Sequence, residues 1–154
     1  MPVPPPGPPV LSAAGVWWRY ARRPWLLEDV TLDLRPGCLL RVHGGNGSGK
    51  STLLRLLAGC AEPHRGTVRR TARAAYLPQL ARSLPAVPAG RLSALLSGRP
   101  QPDDDFLHGH RDTRADRLSA GTARRVLLDA VLALPTPLLV LDEPAAGLDA
   151  AGLG

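Results

Sequence analysis

The chain has 154 residues, 44% of them hydrophobic, with 19 basic against 13 acidic residues and a net charge of +6. That balance fits one domain with a core of its own and excludes a wholly disordered chain. No stretch is long and apolar enough to span a membrane: the best candidate, Val126 to Leu141, is broken by Asp129, Pro135 and Pro137.

The basic charge permits an anionic partner, but the arginines are scattered, so no direct nucleic-acid partner is expected. Cys38 and Cys60 sit at no metal-ligand spacing, which suits a reduced, cytosolic chain. Residues 1–11 are expected to form a proline-rich disordered tail, and 12–154 one domain. Ser12 to Tyr20 reads as an aromatic-rich strand, and Val30 to Leu34 alternates as a second. Cys38-Leu39-Leu40-Arg41-Val42 reads as a short buried strand.

Gly44-Gly45-Asn46-Gly47-Ser48-Gly49-Lys50-Ser51-Thr52 follows and fits the phosphate-binding pattern called Walker A. Gly44, Gly47 and Gly49 allow backbone angles that aim N–H groups at phosphate oxygens. A helix starting near Gly49 and ending at Gly59 adds its positive end. Lys50 brings a compact ammonium to the β- and γ-phosphates, and the Ser51 hydroxyl ligates Mg²⁺. Lys50 is the only lysine and Asn46 the only asparagine in an arginine-rich chain, which argues against an ordinary glycine turn.

Thr67-Val68-Arg69 and Ala74 to Leu77 are expected to pair as a compact hairpin, closed by Pro78-Gln79. Turns and a short helix around Gly90 to Leu96 come next. Asp103-Asp104-Asp105 reads as a solvated loop or helix cap, and His108 with His110 is too little for a metal site. Leu118 to Leu134 reads as a helix with Val126, Leu127, Ala130, Val131 and Leu134 on one side. Leu138 to Leu141 reads as a buried strand. It ends at Asp142-Glu143, a Walker B element in which Asp142 holds Mg²⁺ and Glu143 polarises the attacking water.

Leu118-Ser119-Ala120-Gly121-Thr122 resembles the signature motif of the ATP-binding cassette (ABC) ATPases. In order, the chain carries Walker A, Tyr76-Leu77-Pro78-Gln79 like the Q-loop, the signature, Walker B, and Pro144 to Asp149 like the D-loop. The resemblance covers roughly residues 13–154. It implies an α/β fold: a P-loop NTPase core sheet, an N-terminal antiparallel β subdomain, and a short helical subdomain from about Leu80 to the signature. ATP and Mg²⁺ are the implied cofactors.

By the same resemblance, Tyr20 stacks on adenine, with Trp18 or Trp25 as the other candidates. Gln79 touches Mg²⁺ and the attacking water, and Ser119 and Gly121 contact the γ-phosphate held by an opposite subunit. Asp149 lies at the interface of a head-to-tail dimer. The implied partners are a second ABC subunit, identical or not, and a separate transmembrane permease. They place the protein in the cytoplasm, peripheral on the inner face of the cell membrane.

Ala120 and Thr122 depart from the family's glycine and glutamine. His43, His64, His108 and His110 all precede Walker B, so none is the family's switch histidine. The expectation is a cassette lacking the C-terminal strand and switch region, with poor stability and weak or no hydrolysis on its own. The leading function is the ATPase subunit of a transporter. The alternatives are a soluble cassette protein acting on ribosomes or nucleic acid, and a hydrolysis-deficient nucleotide-binding remnant.

Overall fold

The computed structural model describes residues 7–79, 84–98 and 109–147. Asp103, Asp104, Asp105, His108 and Asp149 lie outside the described residues, as does most of the proline-rich start. The chain divides into two units, Met1–Ala74 with Thr136–Val140 and Ala75–Pro135 with Leu141–Gly154.

In the first unit, β1 (Leu11–Trp18) is the middle strand of an antiparallel sheet, between β2 (Leu27–Leu34) and β3 (Arg65–Arg70). Leu11 and Ala13 point into the core at the strand period of two. A register shift between Ala13 and Val16 then turns Val16 inward as well. α1 (Lys50–Ala58) buries Thr52, Leu53, Leu56 and Leu57, one face of a 3.6-residue period. It stops at Gly59, which is left-handed, and the Cys60 N–H donates to the Arg55 carbonyl at 2.9 Å. The Arg70 guanidinium donates to the Leu56 and Leu57 carbonyls at 3.2 and 3.3 Å. It thereby satisfies acceptors that a helix end leaves open and puts a cation at the negative pole.

In the second unit, α2 (Ala89–Ser97) packs on α3 (Ala120–Leu132) through Ala89, Val126 and Leu118. The first N–H groups of α2 find acceptors outside the helix: Ala89 donates to Thr113 at 2.9 Å and Gly90 to Arg111 at 3.0 Å. Ser119 caps α3, accepting from the Thr122 N–H at 3.1 Å. β4 (Ala75–Leu77) opens this unit. β5 (Leu139–Leu141) carries the chain back into it, and there the Asp142 N–H donates to the Leu77 carbonyl at 2.9 Å.

Three expectations need correction. The tail does not extend to residue 11: the Val10 N–H bonds the Leu34 carbonyl at 2.8 Å, and Leu11 opens β1 as a core residue. The sheet edge claims both because Leu11 has apolar surface to bury. Cys38 to Val42 is not a buried strand. It has no ladder partner among the described residues, and Leu39 and Leu40 are 86% and 42% exposed. An apolar run becomes a strand only where a neighbour accepts its backbone groups. Finally, residues 67–69 and 74–77 do not form a hairpin. β3 pairs with the long edge of β1, whereas β4 belongs to the other unit. The longer ladder wins because it satisfies more backbone groups than a three-residue hairpin arm would.

Candidate nucleotide site and catalytic carboxylates

The glycine loop belongs to the first unit and leads straight into α1. Gly49 is the residue before the helix and has φ 95°. A Cβ there would stand 3.1 Å from side-chain carbons of both Leu26 and Leu27, so both conformation and space call for glycine. Gly44, Asn46, Gly47 and Ser48 are exposed, and the Ser48 N–H donates back to Gly45 at 3.3 Å. The Lys50 ammonium folds over the loop and donates to the Gly44 and Gly45 carbonyls, each at 2.9 Å. Ser51 follows in the first turn of α1, whose N–H groups lack intrahelical acceptors by construction. One cation and several free donors thus face the same loop, the chemistry that phosphate oxygens require.

Tyr20 is joined to this half. Its hydroxyl lies 3.2 Å from the Thr52 hydroxyl of α1, while the residue is 51% exposed and its ring meets Trp18 edge-on at 4.3 Å. The other two candidate aromatics also make ring contacts. Trp25 carries Arg19 at 4.4 Å and Arg65 at 5.0 Å over its ring. Trp18 packs on Tyr20 and His64.

The carboxylates belong to the second unit. Asp142, at the end of β5, is only 2% exposed. Glu143 follows with φ 46°, a left-handed conformation uncommon for a residue with a side chain. The Gln79 side-chain amide donates through Nε2 to Glu143 Oε2 at 2.8 Å, which keeps its Oε1 as an acceptor. Residues 64 positions apart therefore meet at one carboxylate.

Sequence reasoning missed Arg124. It is 5% exposed and donates to the carbonyls of Pro78, Asp142, Glu143 and Pro144. Burial pushes its guanidinium below the usual arginine value, and the charges of Asp142 and Glu143 pull it back up.

Ser119 and Gly121 sit in the cap and first turn of α3. The Ser119 hydroxyl lies 2.8 Å from that of Thr122, so Thr122 supports the cap. A Cβ on Gly121 would stand 2.7 Å from the Gly147 carbonyl oxygen. Of the expected Mg²⁺ ligands, Ser51 in the first unit offers a hydroxyl, and Gln79 and Asp142 in the second offer an amide carbonyl and a carboxylate. Each is a hard oxygen donor of the kind Mg²⁺ takes. No helix of the described residues is long and apolar enough to cross a membrane.

The family model described as "ABC transporter" matches residues 27–146. The cytochrome c biogenesis ATP-binding export protein CcmA of Methylococcus capsulatus is 38% identical over 151 aligned positions, 83% of this chain and 73% of that protein. A solved ABC transporter in an inward-facing conformation superposes with a TM-score of 0.73 at 25% identity. That match covers 94% of this chain and 63% of the transporter chain. RNase-L Inhibitor superposes with a TM-score of 0.80 at 23% identity, over 94% of this chain and 30% of its own. At that identity the likeness speaks for the fold alone.

Proposed function

We infer a function from one premise: the chain belongs to the ABC transporter family. It is an ATP-binding, ATP-hydrolysing subunit of a transporter. ATP-driven pairing with a second cassette subunit would drive a separate membrane permease, leaving this chain peripheral on the inner face of the membrane. The observation that carries hydrolysis is the 2.8 Å bond between Gln79 and Glu143 beside buried Asp142.

Residue roles follow from the chemistry. The loop amides, Asn46, Ser48, Thr52 and Lys50 hold the phosphates, Lys50 exchanging its two carbonyl partners for phosphate oxygens. Tyr20, tied to α1, offers its exposed ring to adenine. Ser51, Gln79 and Asp142 would hold Mg²⁺, which supplies charge neutralisation on the β- and γ-phosphates. Glu143 takes a proton from the water that attacks the γ-phosphorus. The bond to the β–γ bridging oxygen breaks, and ADP and phosphate leave. Ser119 and Gly121 would serve the γ-phosphate bound by the partner subunit, at the positive end of α3.

The relative from Methylococcus capsulatus is named for export in cytochrome c biogenesis. The same export role is proposed for this chain. The tagged chain, in its native host and at its native length, should fractionate with membranes and co-purify with a polytopic membrane protein. Sedimentation with ribosomes, with no membrane protein attached, would overturn the transporter reading. Loss of the gene should abolish haem-loaded cytochrome c, and unchanged cytochrome c would refute that particular cargo.

A further inference from the structure

Arg124 spends its donors in an unusual way. A guanidinium has five N–H groups in a rigid plane. Here Nε donates to Pro144 at 3.3 Å, Nη1 to Pro78 and, at 3.5 Å, to Gln79, and Nη2 to Asp142 at 2.5 Å and Glu143 at 2.9 Å. All five acceptors are backbone carbonyls. Among the described residues no carboxylate forms an ion pair with this cation. A buried charge held by carbonyl dipoles is costly unless every donor is satisfied, and apolar residues would fill the same space more cheaply.

We propose that Arg124 is a positioning residue for ATP hydrolysis: its guanidinium clamps residues 78–79 to residues 142–144 and so fixes the Gln79 amide against the Glu143 carboxylate. The inference rests on the reading of Glu143 as general base. Gln79 and Glu143 emerge from the two segments that the fork spans, and their side chains meet at 2.8 Å. Glu143 also holds a left-handed φ of 46°. Such a conformation persists where the surroundings over-determine it. They do so here: the Glu143 carbonyl accepts from Arg124 and, at 3.0 Å, from the Ala146 N–H. Arg124 stands five positions after Ser119, so the clamp is anchored in the helix that Ser119 caps. A lysine would bring the charge but no planar fork, and could not span both segments.

The test uses Arg124→Lys and Arg124→Ala in the chain at its native length, with two readouts. Hydrogen exchange of the nucleotide-free protein should quicken by about tenfold or more in segments 77–79 and 142–146, with α1 unchanged. Steady-state hydrolysis should lose about a hundredfold in kcat while KM for ATP stays within about twofold, since a misplaced base slows chemistry and not binding. Should the alanine variant fail to fold, the lysine variant decides, because it keeps the stem and the charge. Wild-type kcat in a folded lysine variant overturns the proposal. So does faster exchange throughout α1 together with loss of ATP binding, which would mark a general structural role. A wild-type chain that binds ATP and never turns over would instead sink the hydrolysis reading. Unchanged exchange in either segment would then sink the clamp as well.

Discussion

Gly121→Ala sets two effects of opposite sign against each other. Gly121 is the second residue of α3, and alanine there should favour the helix by up to about 1 kcal/mol. The new methyl, however, would stand 2.7 Å from the Gly147 carbonyl oxygen, well inside the 3.4 Å at which ordinary contact begins. That oxygen is backbone and cannot swing aside as a side chain would. Overpacking of this kind costs about 1–3 kcal/mol, so the clash should win by about 1 kcal/mol. The push should also travel: Gly147 follows Ala146, whose N–H bonds the Glu143 carbonyl at 3.0 Å. Urea unfolding should therefore show Gly121→Ala less stable than wild type, with slower hydrolysis. Ala120→Gly is the control, since it should lose stability through helix propensity alone. A Gly121→Ala protein that gains the full ~1 kcal/mol of helix propensity and keeps its turnover would refute the close approach.

Lys50→Ala should weaken ATP binding by about 10- to 100-fold, the worth of charge-assisted hydrogen bonds, without lowering the unfolding midpoint. The midpoint should hold because Lys50 bonds only carbonyls of its own loop; unchanged affinity by titration calorimetry would contradict the phosphate role. Arg114 holds the Asp116 carboxyl below the usual carboxylate range, chiefly through their side-chain hydrogen bonds at 2.8 and 3.0 Å. A depressed carboxyl stabilises above its unfolded pKa, and that contribution fades as pH falls through the folded value. Asp116→Asn should thus be slightly less stable near neutrality and equal to wild type in strong acid, as thermal midpoints across pH would record. The exposed setting keeps the effect small.

Local signals in the sequence carried far. The helix after the glycine loop begins and ends where Gly49 and Gly59 punctuate it, because caps are decided by a few neighbouring residues. Gln79 and Glu143 were legible through the ordered motifs, and the structure brings them together. Partnership between distant segments was not legible. Cys38 to Val42 has a strand's composition without a partner among the described residues. Val68 and Tyr76 lie close in sequence, yet they belong to different units. Pairing depends on which edges are free, and no short window of sequence contains that information. Arg124 escaped notice because an arginine in a basic chain reads as solvated surface. Only its five carbonyl partners reveal its task.

Glu143 is proposed as the general base for ATP hydrolysis. Glu143→Gln keeps the shape and removes the charge. The decisive measurement is phosphate release and ATP affinity, side by side, for wild type and Glu143→Gln at native length with Mg²⁺ present. Expected are turnover in wild type, a loss of about a hundredfold or more in the variant, and ATP affinity within about twofold of wild type. Equal turnover in the two proteins, or none in a folded wild type that binds ATP, would contradict that role.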